Sequence, residues 1–209
     1  MKIAFLDLEG TLTKGECWSS IKDKFGAEEF LEEYQRFYDE GKIGYEEWRR
    51  KLVEAWTGKV SKQQFISELK NYELIPSAKE LINGLKRKGF KVIIITGGPD
   101  IFAEIVSKEL GFDEIYAANE FLFDKNGFFI DIKTHEEYKR GEGKVKFIKE
   151  IIDKKGADIK DCIAVGGDDI NDYWMMKELK SFAVDPHLRQ IQEVVDHNIN
   201  KLDEVLEFI

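Results

Sequence analysis

Short apolar runs that end abruptly in turn-forming residues recur along the chain. The first covers residues 2–8, is apolar except for Lys2 and Asp7, and stops at a Glu-Gly-Thr turn. An apolar run of this length predicts a β-strand buried on both faces, which is typical of parallel sheets. Further strands are predicted at Phe90–Ile95, Glu114–Ala118, Asp161–Val165 and Ser181–Val184.

Segments with apolar residues at helical spacing lie between these runs. One follows a predicted N-cap at Ser77 and stops at Gly89, and a second has Pro99 in its first turn and stops at Gly111. A third stripe covers residues 145–152. Strands that alternate with amphipathic helices predict an α/β domain, with a doubly wound parallel sheet and helices on both of its faces.

Two segments depart from this alternation. Residues 120–130 place two apolar runs around an Asp-Lys-Asn-Gly turn, which predicts a β-hairpin added to the sheet. Residues 14–75 show helical spacing throughout, as in Trp48, Leu52 and Trp56, and predict a small four-helix bundle. We therefore expect a core domain formed by residues 1–13 and 76–209, with residues 14–75 as a cap domain over the carboxyl end of its sheet.

Composition and charge narrow the function classes. The chain has 209 residues, 43% of them hydrophobic and 12% aromatic, and this composition excludes a largely disordered protein. Its net charge is −9. It has no long basic block, so we expect no nucleic-acid or membrane partner. The first residues do not resemble a secretory signal, and Cys17 and Cys162 lack metal-type spacing. These features favour a cytoplasmic protein. We expect it to be a monomer or a homodimer.

Polar residues gather where the predicted strands end. They are Asp7, Glu9, Thr11, Thr96, Gly97, Asp168, Asp169 and Asp172. Open α/β sheets bind ligands beyond the carboxyl ends of their strands, so we expect these residues to share one site. Carboxylates brought so close together repel one another, which predicts a hard divalent cation, most simply Mg²⁺. The cation in turn points to a substrate that carries a phosphate group.

Four segments resemble, in order and in spacing, the motifs of the haloacid dehalogenase superfamily. They are Asp7-Leu8-Glu9-Gly10-Thr11-Leu12-Thr13, Thr96-Gly97-Gly98, Lys144 and Gly167-Asp168-Asp169-Ile170-Asn171-Asp172. The helical insert, with its segment Gly41-Lys42-Ile43-Gly44-Tyr45, resembles the C1 cap of the phosphoserine phosphatase branch. The resemblance covers essentially the whole chain and implies a Rossmann-like core with phosphatase activity.

The resemblance also implies catalytic roles. Asp7 is the expected nucleophile, forming an aspartyl-phosphate, and Glu9 is the expected general acid and base. Lys144 is expected to stabilise the transferring group and to keep Asp7 ionised. Lys139, Arg140 and Lys146 lie close to Lys144 in the sequence and remain alternatives for that cation.

Binding roles follow in the same way. Mg²⁺ is expected to be held by Asp7, Glu9 (through its backbone carbonyl) and Asp168. Asp172 is the last residue expected in the metal site. Together, Asp172 and Asn171 would orient Lys144 and the water bound to the metal. The phosphate is expected to contact Thr96, Gly97 and Gly98.

Two features depart from the pattern of phosphoserine phosphatases. Glu9 stands where most of the family's phosphatases have Asp, and this version occurs in a smaller group that includes a homoserine phosphotransferase. Glu16 matches the residue that binds the substrate ammonium, with helix capping as its alternative role. The carboxylate-binding Arg of the branch falls at Leu52, so either Arg49 or Arg50 substitutes for it or the substrate is not phosphoserine.

The expected function is therefore Mg²⁺-dependent hydrolysis of a small phosphorylated metabolite, with phosphoserine as the first candidate. Phosphotransfer to an alcohol such as homoserine is one alternative, and hydrolysis of a different small phosphate ester is another. A phospho-receiver module is a third, but the length of the chain and the helical insert argue against it.

Overall fold

The protein is built on a single twisted sheet. The computed structural model describes residues 1–26, 28–135 and 143–209, with residues 28–31 and 39 described by their backbone alone. In this part of the chain the strands are β1 Ile3–Leu6, β2 Lys91–Pro99, β3 Glu114–Phe123, β4 Phe129–Thr134, β5 Cys162–Gly166, β6 Lys180–Val184 and β7 His197–Ile199. Their order is β4-β3-β2-β1-β5-β6-β7, and every neighbouring pair is parallel except β3 with β4. The predicted α/β class is confirmed.

The central strand β1 shows why the sheet has two covered faces. Ile3 and Phe5 belong to one hydrophobic cluster, whereas Ala4 and Leu6 belong to another on the opposite face. All four residues are fully buried, as expected for a strand with a continuous apolar run. Since β1 lies between β2 and β5, the residues that follow it lie at the middle of the sheet's carboxyl edge.

Helices cover both faces. Within the described residues they are α1 Cys17–Phe25, α2 Glu28–Asp39, α3 Tyr45–Trp56, α4 Lys62–Leu69, α5 Ala78–Arg87, α6 Asp100–Leu110, α7 Gly143–Lys155, α8 Tyr173–Glu178 and α9 Arg189–Gln192. The apolar faces of α5 and α6 pack in the cluster of Ala4 and Leu6, and those of α7 and α8 pack in the cluster of Ile3 and Phe5. Among these helices none is long and apolar enough to cross a membrane.

Three details differ from the sequence predictions. Ser77 is the N-cap residue of α5, as predicted, but it has a positive φ of 67° and its side chain makes no hydrogen bond to the helix. Strand β2 continues to Pro99, because a register shift after Thr96 lets Pro99 pair with Asn119. Strand β7 escaped prediction because three residues are too few to show a period.

The helical insert does not pack alone. Helices α1 to α4 lie between β1 and β2, and their buried Trp56 and Phe65 contact Phe121 and Phe129 of the β3–β4 hairpin. Backbone hydrogen bonds join the same two parts: the Gly58 amide donates to the Phe129 carbonyl at 3.0 Å, and the Phe129 amide donates to the Val60 carbonyl at 2.9 Å. The predicted hairpin is therefore also the support on which the insert rests. The division into two domains stays a prediction.

Candidate active site

Asp7 lies directly after β1, and its carboxylate is buried at the carboxyl edge of the sheet. Only 4% of the residue is exposed. One oxygen accepts a hydrogen bond from the Thr11 hydroxyl at 3.1 Å, and the other accepts one from the Lys144 ammonium at 2.5 Å. Burial raises the pKa of Asp7 to about 6, although Lys144 opposes the rise. The turn between Asp7 and Thr11 needs a glycine, since Gly10 has a φ of 73° and a Cβ there would overlap Asp168.

Lys144 stands in the first turn of α7 and joins two strand ends. Its ammonium lies 2.5 Å from Asp7 and 2.5 Å from Asp172, and only 3% of its side chain is exposed. The second oxygen of Asp172 accepts a hydrogen bond from the Gly167 amide at 2.7 Å. This buried cation therefore has two fixed carboxylate partners. Of the alternatives considered for it, Lys139 and Arg140 lie outside the described residues.

Three carboxylates form a compact cluster. One oxygen from each of Asp7, Asp168 and Asp172 lies within 4.8 Å of the others. Burial raises the pKa of Asp168 and of Asp172 to about 7, because charged carboxylates are unfavourable in a poorly solvated place. The Oδ1 atom of Asp168 is buried and has no hydrogen-bond partner. Such an oxygen and such a donor set fit a hard divalent cation.

Glu9 faces the same space from the loop after Asp7. Its Oε1 atom accepts a hydrogen bond from the Cys17 amide at 2.6 Å, so Glu9 caps the first turn of α1 from outside the helix. Burial raises the pKa of Glu9, and the hydrogen bonds from Cys17 oppose the rise. On the other side, Gly98 leaves room for the carboxylate, because a Cβ at that position would lie 2.3 Å from the Glu9 Oε2 atom.

The loop after β2 carries a buried hydroxyl and a supporting amide. The Thr96 hydroxyl accepts a hydrogen bond from the Gly98 amide at 3.0 Å. The side-chain amide of Asn119 donates to the Gly97 carbonyl at 2.8 Å, and its oxygen accepts a hydrogen bond from the Tyr45 hydroxyl at 2.9 Å. Tyr45 belongs to α3, so this chain of contacts connects the insert with the loop.

The turn after β5 is closed by its own side chains. Asp169 accepts hydrogen bonds from both the backbone amide and the side-chain amide of Asn171, each at 3.0 Å. Asp169 therefore shapes the turn that ends in Asp172.

Many of these groups line one cavity of about 570 Å³ between the sheet edge and the insert. The sheet contributes its floor, with Asp7, Glu9, Thr96, Gly97, Lys144, Asp168, Asp169 and Asn171. The insert contributes the facing wall, with Glu16, Trp18, Ser19, Lys22, Gln35, Tyr38 and Trp48. The floor of the cavity is thus lined by acids and one buried cation, and its wall by aromatic and polar side chains together with the charged residues Glu16 and Lys22.

The model of the haloacid dehalogenase-like hydrolase family matches residues 4–177. The chain belongs to this family. The match includes Asp7, Thr96, Lys144 and Asp168, and it confirms the membership that the motifs predicted. The chain is thus a hydrolase of the haloacid dehalogenase type.

Similar proteins agree along the whole length of the chain. The phosphoserine phosphatase of Methanocaldococcus jannaschii is 28% identical over 213 residues, covering 100% of this chain and 97% of that protein. A solved structure of a phosphoserine phosphatase with an analogue of its phospho-aspartyl intermediate has a TM-score of 0.79 and 26% identity, covering 100% of this chain and 98% of that one. The structure of the phosphoserine phosphatase from T. onnurineus has a TM-score of 0.70 and 28% identity, covering 99% of this chain and 93% of that one.

The structure does not bring Arg50, the arginine predicted to bind substrate, to the cavity. Arg50 does not line the cavity but forms an exposed ion pair with Glu54 at 2.6 Å. Arg49 does not line it either, because its guanidinium is held by Asp131 and by the Ile132 carbonyl of β4. Both side chains point away from the site because the stripe of α3 that faces inward is apolar: Trp48, Leu52 and Trp56 are buried.

Glu16 lines the cavity, and its alternative role as a helix cap is not observed. Glu16 is the residue directly before α1, but its side chain makes no hydrogen bond to that helix. Glu9 takes that place instead. Glu16 is exposed at the cavity wall.

Sequence reasoning missed Lys22, Gln35 and Asn119. Lys22 could have been found, because it lies four residues after Trp18 and so shares a helix face with it. Gln35 and Asn119 gave no signal, since single amides within amphipathic segments usually face solvent.

Proposed function

We propose that this chain is a Mg²⁺-dependent phosphomonoesterase that forms and hydrolyses an aspartyl-phosphate at Asp7. Its substrate is a small phosphorylated metabolite, and phosphoserine is the first candidate. One observation carries the proposal: the Asp7 carboxylate is buried between Lys144 and Thr11, and it opens into the cavity that Glu9 and Thr96 also line.

Asp7 is suited to attack phosphorus. Its ion pair with Lys144 opposes the effect of burial, so the carboxylate is largely ionised above its pKa of about 6. The contacts from Lys144 and Thr11 fix the carboxylate before the substrate arrives, which lowers the entropic part of the barrier. Lys144 remains within reach of the transferring group and stabilises the negative charge on it.

Glu9 is suited to move the proton. Since burial raises its pKa, the carboxyl group can hold a proton and donate it to the leaving oxygen of the ester. The resulting carboxylate can then take a proton from the water that attacks the aspartyl-phosphate. The Cys17 amide holds Glu9 in place and stabilises its ionised form between the two half-reactions.

Asp7, Asp168, Asp172 and the Glu9 carbonyl are the groups that would hold the metal. When bound, Mg²⁺ neutralises phosphate charge and helps to orient the phosphoryl group. The Thr96 hydroxyl, which accepts from Gly98, has its own proton available for a phosphoryl oxygen.

Two observations support phosphoserine as the first candidate. Similar proteins over the full length of the chain are phosphoserine phosphatases. Glu16 also lines the cavity, where a carboxylate can accept hydrogen bonds from a substrate ammonium.

We also propose that the insert, residues 14–75, acts as a cap whose movement at residues 13–16 and 74–77 admits the substrate. The cap proposal is supported by the insert residues that form one wall of the cavity.

The replacement Asp7→Asn tests the mechanism. With Mg²⁺ and p-nitrophenyl phosphate, we expect turnover to fall at least about 10⁴-fold, because the amide cannot act as the nucleophile. Asp23→Asn, at an exposed position of α1, is the matched control and should retain full activity. Circular dichroism checks that both variants are folded. Turnover by Asp7→Asn close to that of the wild type would refute the aspartyl-phosphate.

The acceptor of the phosphoryl group is tested in the same assay. Hydrolysis predicts that homoserine changes neither the rate of phosphate release nor the products. Phosphohomoserine formed at the expense of free phosphate would instead favour the phosphotransferase, without touching the role of Asp7.

A further inference from the structure

The cavity wall formed by the insert contains a cation, Lys22, as well as the carboxylate of Glu16. Lys22 lies on α1 and lines the cavity together with Trp18, Gln35 and Trp48. The other cation of the lining, Lys144, is bound by two carboxylates. Lys22 contacts a neutral group: its ammonium donates to the Gln35 Oε1 atom at 3.3 Å. Among the described residues no carboxylate oxygen lies within 4.0 Å of the Lys22 ammonium.

Packing decides the direction of this side chain. Cys17 and Ile21, four residues apart, form the buried face of α1. Trp18 and Lys22 follow them by one position and therefore form the neighbouring stripe, at the border between the core and the cavity. Lys22 is half-buried there, and within the described part of the chain its ammonium has no ionic partner.

Gln35 fixes the position of Lys22. The oxygen of Gln35 also accepts a hydrogen bond from the Trp48 indole nitrogen at 2.9 Å. Trp48 itself is 9% exposed and makes edge contact with Trp18 at a ring distance of 5.9 Å. The ammonium is thus held beside an aromatic wall, where reduced access of water strengthens its attraction for an anion.

No arginine of α3 can serve a second anionic group of a substrate. Leu52 is fully buried in the hydrophobic core, and Arg49 and Arg50 are bound to carboxylates outside the cavity. On the described wall of the insert, Lys22 is the cation that reaches the ligand space.

We propose that Lys22 is a specificity-determining residue that binds a carboxylate carried by the phosphate ester. The inference rests on the proposed function, since it assigns the substrate class of the same cavity. The phosphoryl group lies at the floor with Asp7 and Lys144, and the carboxylate of the leaving group extends to Lys22. Substrates with a carboxylate are thereby selected over phosphate esters that lack one.

The test compares substrates that differ by a carboxylate. The pairs are phosphoserine with phosphoethanolamine and 3-phosphoglycerate with glycerol 3-phosphate, and p-nitrophenyl phosphate serves as the reference. The wild type should prefer the carboxylate-bearing member of at least one pair. Lys22→Met should lower kcat/KM for that member about 10- to 100-fold, mainly through KM, as expected for the loss of one charge-assisted hydrogen bond. Turnover of p-nitrophenyl phosphate should stay within about twofold.

Two further variants complete the experiment. Lys24→Met removes an exposed cation of the same helix and should leave every substrate unaffected. Lys22→Arg keeps the charge and should recover most of the lost preference. The inference is overturned if the wild type shows no preference in either pair of substrates. It is also overturned if Lys22→Met lowers kcat/KM equally for both members of a pair, or for neither of them. Failure of the wild type to hydrolyse any ester with Mg²⁺ present would instead refute the proposed function, and the inference with it.

Discussion

The floor and the insert-side wall of the cavity differ in how their charged groups are held. On the floor, Lys144 is fully enclosed and ion-paired with Asp7 and Asp172, and its position is set by contacts between residues far apart in the sequence. On the wall, Lys22 is half-buried and held by one neutral amide. The wall is also more open to solvent than the floor, since its residue Tyr38 is 37% exposed.

This difference separates two tasks. A nucleophile and its stabilising cation must be fixed before the substrate arrives, because reorganisation during the reaction costs rate. A surface that recognises the leaving group can be more open, and a charged side chain on it needs no ionic partner before the ligand binds. We therefore expect changes to the floor to affect all substrates, and changes to the wall to affect some of them.

The largest effect is expected for Lys144→Met. It removes the cation that we propose stabilises the transferring group, and it leaves Asp7 and Asp172 without their ion pairs to Lys144. We therefore expect kcat for every ester to fall by about a thousandfold. The folded protein should also lose about 3–5 kcal/mol of stability above pH 7, and less at lower pH, where the carboxylates can take up protons. Steady-state kinetics and urea denaturation measure the two effects.

Lys146→Met is the control for Lys144→Met. Lys146 lies two residues further along the same helix, so its side chain has a different direction. We expect its activity to equal that of the wild type. A comparable loss in both variants, or less than a tenfold loss in Lys144→Met, would contradict the special position of Lys144.

A medium effect is expected for the pH dependence of metal binding. Burial raises the pKa of Asp7 to about 6 and those of Asp168 and Asp172 to about 7, above the values of an unfolded chain. These groups therefore stabilise the metal-free fold fully below about pH 4, and this contribution is lost as the pH rises through 7. Mg²⁺ needs the deprotonated oxygens, so its affinity should rise about tenfold or more per pH unit between pH 5.5 and 7.

Thermal denaturation with and without Mg²⁺, from pH 5 to pH 8, measures this dependence. The rise in Tm caused by Mg²⁺ should grow with pH in the wild type and disappear in Asp168→Asn. Asp169→Asn, whose side chain shapes the turn from outside the carboxylate cluster, should keep most of the rise. A rise in Tm that does not depend on pH would argue against metal binding by these carboxylates.

The smallest effect is expected for Tyr45→Phe, which tests where wall and floor meet. The change removes the hydrogen bond to Asn119, which in turn holds the Gly97 carbonyl. We expect a loss of about 1 kcal/mol in stability and a decrease of a few-fold in kcat/KM for all substrates. In Tyr72→Phe the lost hydroxyl contacts Glu109 outside the cavity, so kinetics should not change. Equal kinetics in both variants would mean that the insert does not support the loop.

Much of the fold could be predicted because its information is local. A strand covered on both faces needs a continuous apolar run, and β1, β2 and β5 have one. The acidic residues follow those runs directly, so their common position at the sheet edge follows from parallel topology alone. Lys144 could also have been preferred over Lys146, because it lies in the stripe of Ile148 and Ile151, whose residues are buried.

The remaining features of the site depend on packing between distant segments. Most strands and helices, the acidic residues of the floor and the motifs of the family could be predicted, because periodicity and turn residues act over a few positions. Packing between distant segments sets the directions of other side chains: Arg49 and Arg50 bind carboxylates outside the cavity, Lys22 lines the cavity, and Asn119 holds the Gly97 carbonyl. A side chain's direction depends on which helix face the neighbouring core buries, and that core is assembled from residues tens of positions apart.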